Sequence, residues 1–333
     1  MKYKLTFICF IILASSCITK DNGFIEVVKL SPEKTYNQID NDLFLFEVRD
    51  IKISSHSNGD IFLINQKRAV KVDSSFKSYI EIGKYGDGPM EMLSPSNLFV
   101  KEDGIYITDS ELLKIFKYNT NGEFLREWKL PDRYFTISDF VATLPAHDSE
   151  ELMFYFNSPT KGIINVFNAK ETLEFQQSVE IPSPTFISED FYYLVHDGQN
   201  NFAIPHSKEV IYIYDGKGRL IDQVKLPDYL FADRLKFKEE QIKRNPNSVN
   251  STFKLISDVY YNQGNLYLLL SQNSGENLDY YCNKVLVLDI KGGNKFKKVY
   301  QLKGDVFNQI TIKDSVLFTY NEITSTIQKY ILP

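Results

Sequence analysis

Apolar and polar side chains alternate at a period of two along most of this chain, the spacing of β-strands whose two faces meet different surroundings. One short apolar run recurs six times: Ile61-Phe62-Leu63-Ile64, Ile105-Tyr106-Ile107, Leu152-Met153-Phe154, Phe202-Ala203-Ile204, Leu266-Tyr267-Leu268 and Val316-Leu317-Phe318. Taking the first residue of each run as equivalent, the steps are 44, 47, 50, 64 and 50 residues. A second β-rich run follows each first one, and a third often ends in Leu or Ile before Pro. Turns fall at Asn58-Gly59-Asp60, Asp103-Gly104 and Asn121-Gly122, where the residues tolerate left-handed backbone.

Strand-only units at this period predict radial repetition, and six of them predict an all-β, six-bladed β-propeller. Each blade needs a neighbour to cover its faces, so one closed domain over residues 24–333 is expected despite the length. The high aromatic content, 21 Tyr and 25 Phe, suits sheets packed face to face.

Four antiparallel strands per blade are expected, such as Val48–Ile53, Ile61–Asn65, Ala69–Val72 and Tyr79–Gly83 in blade one. Blade six reads Phe307–Ile312, Val316–Tyr320 and Ile327–Leu332, with no outer strand before Pro333. Phe24–Leu30 has the form of the outer strands ending at Leu130-Pro131 and Leu226-Pro227, so this N-terminal strand is expected to complete blade six and close the ring. The long fourth step holds a helical insertion between blades four and five, about 228–250, with Phe231, Leu235 and Ile242 on one face. Asn245-Pro246 is its stop signal. It joins an outer strand to the next inner one, which puts it on the ligand-binding face of a propeller, as a lid or as a helix packed on the rim.

Before the repeats, Lys2 and Lys4 flank an apolar stretch, Leu5–Leu13, too short to span a bilayer. Ala14-Ser15-Ser16 then leads to Cys17, which resembles a bacterial lipobox with Ala14 where Leu is commonest. Residues 1–16 are read as a signal peptide and 17–23 as a lipidated cysteine and linker; an ordinary cleaved signal is the alternative. Cys9 would leave with the signal and Cys17 would carry lipid, so Cys282 has no disulfide partner. Lys20-Asp21 is similar to a weak surface-export signal of Bacteroidota lipoproteins, and an outer-membrane lipoprotein facing either the periplasm or the cell surface is expected. Formal net charge is −5, and −7 without the signal lysines, which argues against a nucleic-acid partner.

Gly83-Lys84-Tyr85-Gly86-Asp87-Gly88-Pro89-Met90-Glu91-Met92 resembles the link between blades of NHL-type propellers, with Met90 and Met92 in place of Gly and Phe. Ile105–Ser110, Ile115–Tyr118 and Asn121–Phe124 continue that resemblance. With the lipobox, the chain resembles the six-bladed β-propeller lipoproteins of Bacteroidota. As a phosphate cradle the glycine cluster lacks the following Lys-Ser or Lys-Thr on a helix, so its glycines read as turn positions.

Some NHL-like propellers are lyases or hydrolases with a metal held by His from several blades. Here His56, His147, His196 and His206 fall at unlike positions of the repeat, so no metal or other cofactor is expected. No Gly-x-Ser-x-Gly elbow is present, and Cys282 reads as a buried structural thiol. What remains is the face formed by the loops between second and third strands, from which Arg68, Tyr85, Asp109, His206, Asn273, Tyr280 and Tyr320 are candidate ligand-binding residues. The alternative is that these are ordinary propeller loops. The sequence thus points to a monomeric, lipid-anchored, non-catalytic propeller that binds a glycan or peptide, or scaffolds an envelope protein complex. A propeller lyase or hydrolase acting on a sugar or peptide is the second reading.

Overall fold

The structure is a computed structural model describing residues 25–40, 42–53, 59–101, 103–130, 140–145, 152–157, 163–180, 192–197, 199–215, 217–244, 253–274 and 279–333. Among the described residues, six sheets carry four or five strands each. Their innermost strands are Val48–Ile53, Pro95–Lys101, Phe140–Pro145, Tyr192–His196, Ile256–Asn262 and Phe307–Lys313. Each lies beside the next around the axis, and Phe307–Lys313 beside Val48–Ile53 closes the ring. This is the six-bladed β-propeller that the sequence period predicts.

The period-two pattern explains how blades pack. In the second strand of blade five, Leu266, Leu268 and Leu270 join a core with blade four, whereas Tyr267 and Leu269 join a core with blade six. Blade one divides alike: Leu63 faces blade six, and Phe62 and Ile64 face blade two. Successive residues point to opposite faces, so one strand serves two junctions.

Inner strands repeat a second device. Register shifts fall at Val48/Asp50, Pro95/Asn97, Ile256/Asp258 and Phe307/Gln309, the same place in four blades. The carboxylates at two of these positions bridge to the following blade: Asp50 Oδ2 accepts from the Leu98 amide, and Asp258 Oδ2 from the Ile310 amide, both at 2.7 Å. A bulge turns the side chain out of the regular alternation and lets it reach the neighbouring backbone.

Ring closure differs from the expectation in one respect. Glu26–Leu30 does not complete blade six; it adds a fifth strand to blade five, parallel to Lys295–Leu302. The outer strand of blade six is Lys34–Tyr36, antiparallel to Thr326–Ile331. Val28 and Leu30 pack on the core shared by blades five and six, so their apolar character is used one blade earlier. Beyond Pro32, Glu33 pairs with Lys329 at 2.7 Å and its amide bonds the Lys329 carbonyl, while the Tyr36 ring stacks on Phe76 of blade one at 4.0 Å. The N-terminal segment therefore ties blades five, six and one together.

The insertion contains the helix Ala232–Arg244, entered through a short 3₁₀ turn, Asp228–Leu230. Phe231 is buried in the core between blades four and five, with Leu235 and Phe237 packed against it. Ile242 is on the same helix, but its side chain lies outside the described set.

Candidate functional site

The helix sits beside the second strand of blade five, at the end where that strand leads into the third. That second strand, Asn265–Ser274, and its hairpin partner Asp279–Asp289 extend past the body of the blade, where Asn273 pairs with Tyr280 and Gln272 with Tyr281. The first turn of the helix lays Arg234 against this extension. Its Nη1 donates to Asn273 Oδ1 at 2.7 Å and its Nε to the Lys254 carbonyl at 3.0 Å. The guanidinium faces three rings, Phe253 at 4.5 Å, Tyr280 at 5.0 Å and Phe237 at 5.4 Å.

Beneath Tyr280 lies a polar cluster. The Tyr280 hydroxyl is 3.3 Å from both Ser257 Oγ and Ser271 Oγ, which are 2.7 Å from each other. Cys282 Sγ donates to Ser257 Oγ at 2.7 Å. The Tyr193 hydroxyl donates to the Ser257 carbonyl, and the Tyr193 ring stacks on His206 at 4.1 Å. The His206 carbonyl accepts the amides of Leu255 and Ile256, locking blade four to the start of blade five. One continuous set of contacts thus runs from His206 to Arg234 across the blade four and five mouth.

Electrostatics there are set by burial. Burial, reinforced by the positive charge of Lys254, holds the His206 imidazole well below its ordinary value, so it is neutral at pH 7. Burial pushes the Cys282 thiol up, keeping it protonated and unreactive. Arg234 is also pulled down by burial, with Tyr280 opposing, yet a guanidinium stays charged.

Three candidates from the sequence, His206, Asn273 and Tyr280, come together at this mouth; four do not. Asp109 is buried and saturated, accepting the amides of Leu93 and Ser94 on one oxygen and those of Glu111 and Leu112 on the other. Tyr320 is buried in the core between blades six and one, its hydroxyl accepting the Glu47 amide at 3.1 Å. Arg68 pairs with Glu81 at 3.0 Å on the outside of blade one. Tyr85 is exposed and accepts from Lys67 Nζ at 3.0 Å. Cys17 lies outside the described residues. The glycine link is a turn wrapped around Glu91: its Oε2 accepts the Gly88 amide at 3.0 Å and occupies the space a Cβ on Gly86 would need.

Sequence reasoning missed Arg234, Phe253 and Lys254. A helix read only for its apolar stripe hides a cation on its flank, and the signal that could have found it is an Arg beside Phe231 in the first helical turn.

A second charged group sits on the inner strands near the axis. Lys52 Nζ bonds Asp50 Oδ1 at 2.7 Å. Burial alone would lower this ammonium, but Asp50 and Asp258 together outweigh it and hold it above its ordinary value. Asp258 is pushed up to about 6 by burial, with Lys52 opposing. Among the described residues no group of three His, Cys, Asp or Glu is placed to hold a metal ion.

Comparison with known proteins agrees with this architecture. A family model described as a 6-bladed beta-propeller matches residues 46–183, the first three blades. No curated protein matches the chain. Among solved structures, a protein of Bacteroides fragilis NCTC 9343 named as a "putative exported protein" is similar at 16% identity and TM-score 0.56, covering 92% of this chain and 99% of its own. A streptogramin B lyase is similar at 15% identity and TM-score 0.51, covering 90% and 97%. Virginiamycin B lyase of Staphylococcus aureus is similar at 12% identity and TM-score 0.51, covering 90% and 99%. No helix among the described residues is long and apolar enough to cross a membrane. At these identities the likeness extends to the fold alone.

Proposed function

We propose that this chain is a non-catalytic, ligand-binding β-propeller of the bacterial cell envelope, anchored by lipid on Cys17 and taking a glycan or peptide at the mouth between blades four and five. The observation that carries this reading is the convergence there of Arg234, Asn273 and Tyr280 from a helix and both arms of one hairpin. Binding needs such groups fixed in place by their surroundings. Catalysis needs a titratable group that can exchange a proton with a substrate. Three described candidates for that task are otherwise engaged: Asp109 by four amides, Cys282 by burial, His206 by enclosure behind Tyr193. The glycine link of blade one and the lipobox support kinship with NHL-like envelope lipoproteins, and an envelope protein complex is the expected partner of the remaining face.

A lyase or hydrolase acting on a sugar or peptide is the second reading, favoured by the two lyases that share the fold. The test is a thermal-shift and product assay of the purified protein with oligosaccharide and peptide panels. Stabilisation without turnover is expected; turnover abolished by His206→Gln would replace the binding reading with the enzyme one. Cys17→Ser should move the protein from the membrane fraction to the soluble fraction, and persistence in the membrane would contradict the anchor.

A further inference from the structure

We propose that Arg234 recognises a carboxylate carried by an acidic oligosaccharide, a uronate chain seated at the mouth between blades four and five; this rests on the ligand-binding reading above.

Arg234 is 8% exposed, yet the groups it bonds are neutral: the Asn273 amide oxygen and the Lys254 carbonyl. Among the described residues no carboxylate pairs with it. A buried cation whose described partners are all neutral is costly, and a neutral donor would dock the helix to Asn273 without that cost. Nε and Nη1 are committed, whereas Nη2 makes no hydrogen bond to a described residue. A guanidinium edge of this kind is the geometry that a carboxylate matches.

The surroundings add to the attraction. Lys238 Nζ lies 5.3 Å from the Phe253 ring, and the charge of Lys254 is felt at both His206 and Cys282. In a chain of net charge −5, Arg234 and Lys238 thus share the Phe253 ring, while the charge of exposed Asp233 acts on Lys284. Tyr280 is 39% exposed beside the guanidinium; its hydroxyl is held from beneath by Ser257 and Ser271, and its ring offers an apolar face to a sugar. A peptide bound by strand addition would need an open strand edge. At this blade the hairpin arms pair with each other up to Ser274 and Asp279, and the outer edge carries Glu26–Leu30. Rings and amides beside a cation suit an acidic sugar better.

The experiment is calorimetry of the full-length mature protein with trigalacturonate and trimannuronate, their neutral counterparts galactotriose and mannotriose, and a tripeptide with free or amidated C-terminus. A uronate trimer is expected to bind, its neutral counterpart at least about 10-fold more weakly, and Arg234→Gln to weaken the uronate by about 10–100-fold, the worth of a charge-assisted pair. Arg234→Lys should retain part of the affinity. Asn273→Ala, which frees the guanidinium without removing its charge, should weaken binding less than Arg234→Gln and guards against misfolding of the latter. Equal affinity for neutral and acidic trimers overturns the carboxylate and leaves the binding site intact. Arg234-dependent binding of the free-acid peptide alone overturns the glycan. Binding of no probe overturns this inference and the glycan or peptide reading together.

Discussion

Two cations among the described residues, Lys52 and Arg234, are met by the protein in different ways. Lys52, on the inner strand of blade one, has Asp50 at 2.7 Å and the charge of Asp258 nearby. Arg234, on the helix between blades four and five, has an amide oxygen, a carbonyl and three rings. The first group is complete within the chain, and its carboxylates also hold the backbones of blades two and six. The second is satisfied in hydrogen bonds, but its described partners carry no charge. A closed charge balance belongs to the frame, and an open one belongs to whatever comes to the frame.

The largest effect that could break this contrast is at Lys52. Lys52→Met leaves two enclosed carboxylates without their cation and should cost about 3–5 kcal/mol at pH 7. Thermal denaturation checks it, and an unchanged midpoint would mean that the inner-strand group is not part of the frame. Adding Asp258→Asn to Lys52→Met should recover at least half of that loss, because the stranded charge goes with the substitution. Failure of the double variant to exceed the single one would place the loss in packing instead.

At the mouth the expected change is smaller. Arg234→Gln removes hydrogen bonds to neutral partners and some ring contact but also relieves the desolvation of the cation, so the net cost in chemical denaturation should be at most about 1 kcal/mol. The last effect is on acid sensitivity, and here too the regions oppose each other. His206 is held neutral in the fold, so the unfolded chain takes up its proton first and this contribution is lost as pH falls through about 6.5. Asp258 is raised to about 6 from 3.8, so the folded protein takes up its proton first and gains stability as pH falls from about 6 toward 4. His206→Gln should therefore flatten the stability profile between pH 7 and 5, by at most about 1.4 kcal/mol per pH unit, and Asp258→Asn should steepen it. Urea midpoints across that range test both signs.

How far the sequence could be read follows the same division between repeated frame and singular site. Blade strands such as Ile61–Asn65 and Asn265–Leu270 were legible because every second side chain enters a different core, which writes the alternation directly into the chain. Lys34-Thr35-Tyr36 was not: three residues cannot display a period, and Val28-Lys29-Leu30 upstream copies the form of an outer strand while serving blade five. Loop position alone brought His206, Asn273 and Tyr280 into view. The same criterion also brought in Asp109 and Tyr320, since lying at a strand end says nothing about whether a side chain turns inward to cap amides or fill a core. Arg234 escaped because its partners, Asn273 and Lys254, are 39 and 20 residues away and meet it only when the helix folds back on blade five.

The difference between the two cations can be measured directly, by the unfolding free energies of Lys52→Met and Arg234→Gln in urea at pH 7, side by side with the parent protein. The account predicts a loss for Lys52→Met at least twice that for Arg234→Gln. Equal losses, or a larger one for Arg234→Gln, would make Arg234 a strut of the frame and contradict its assignment to a ligand.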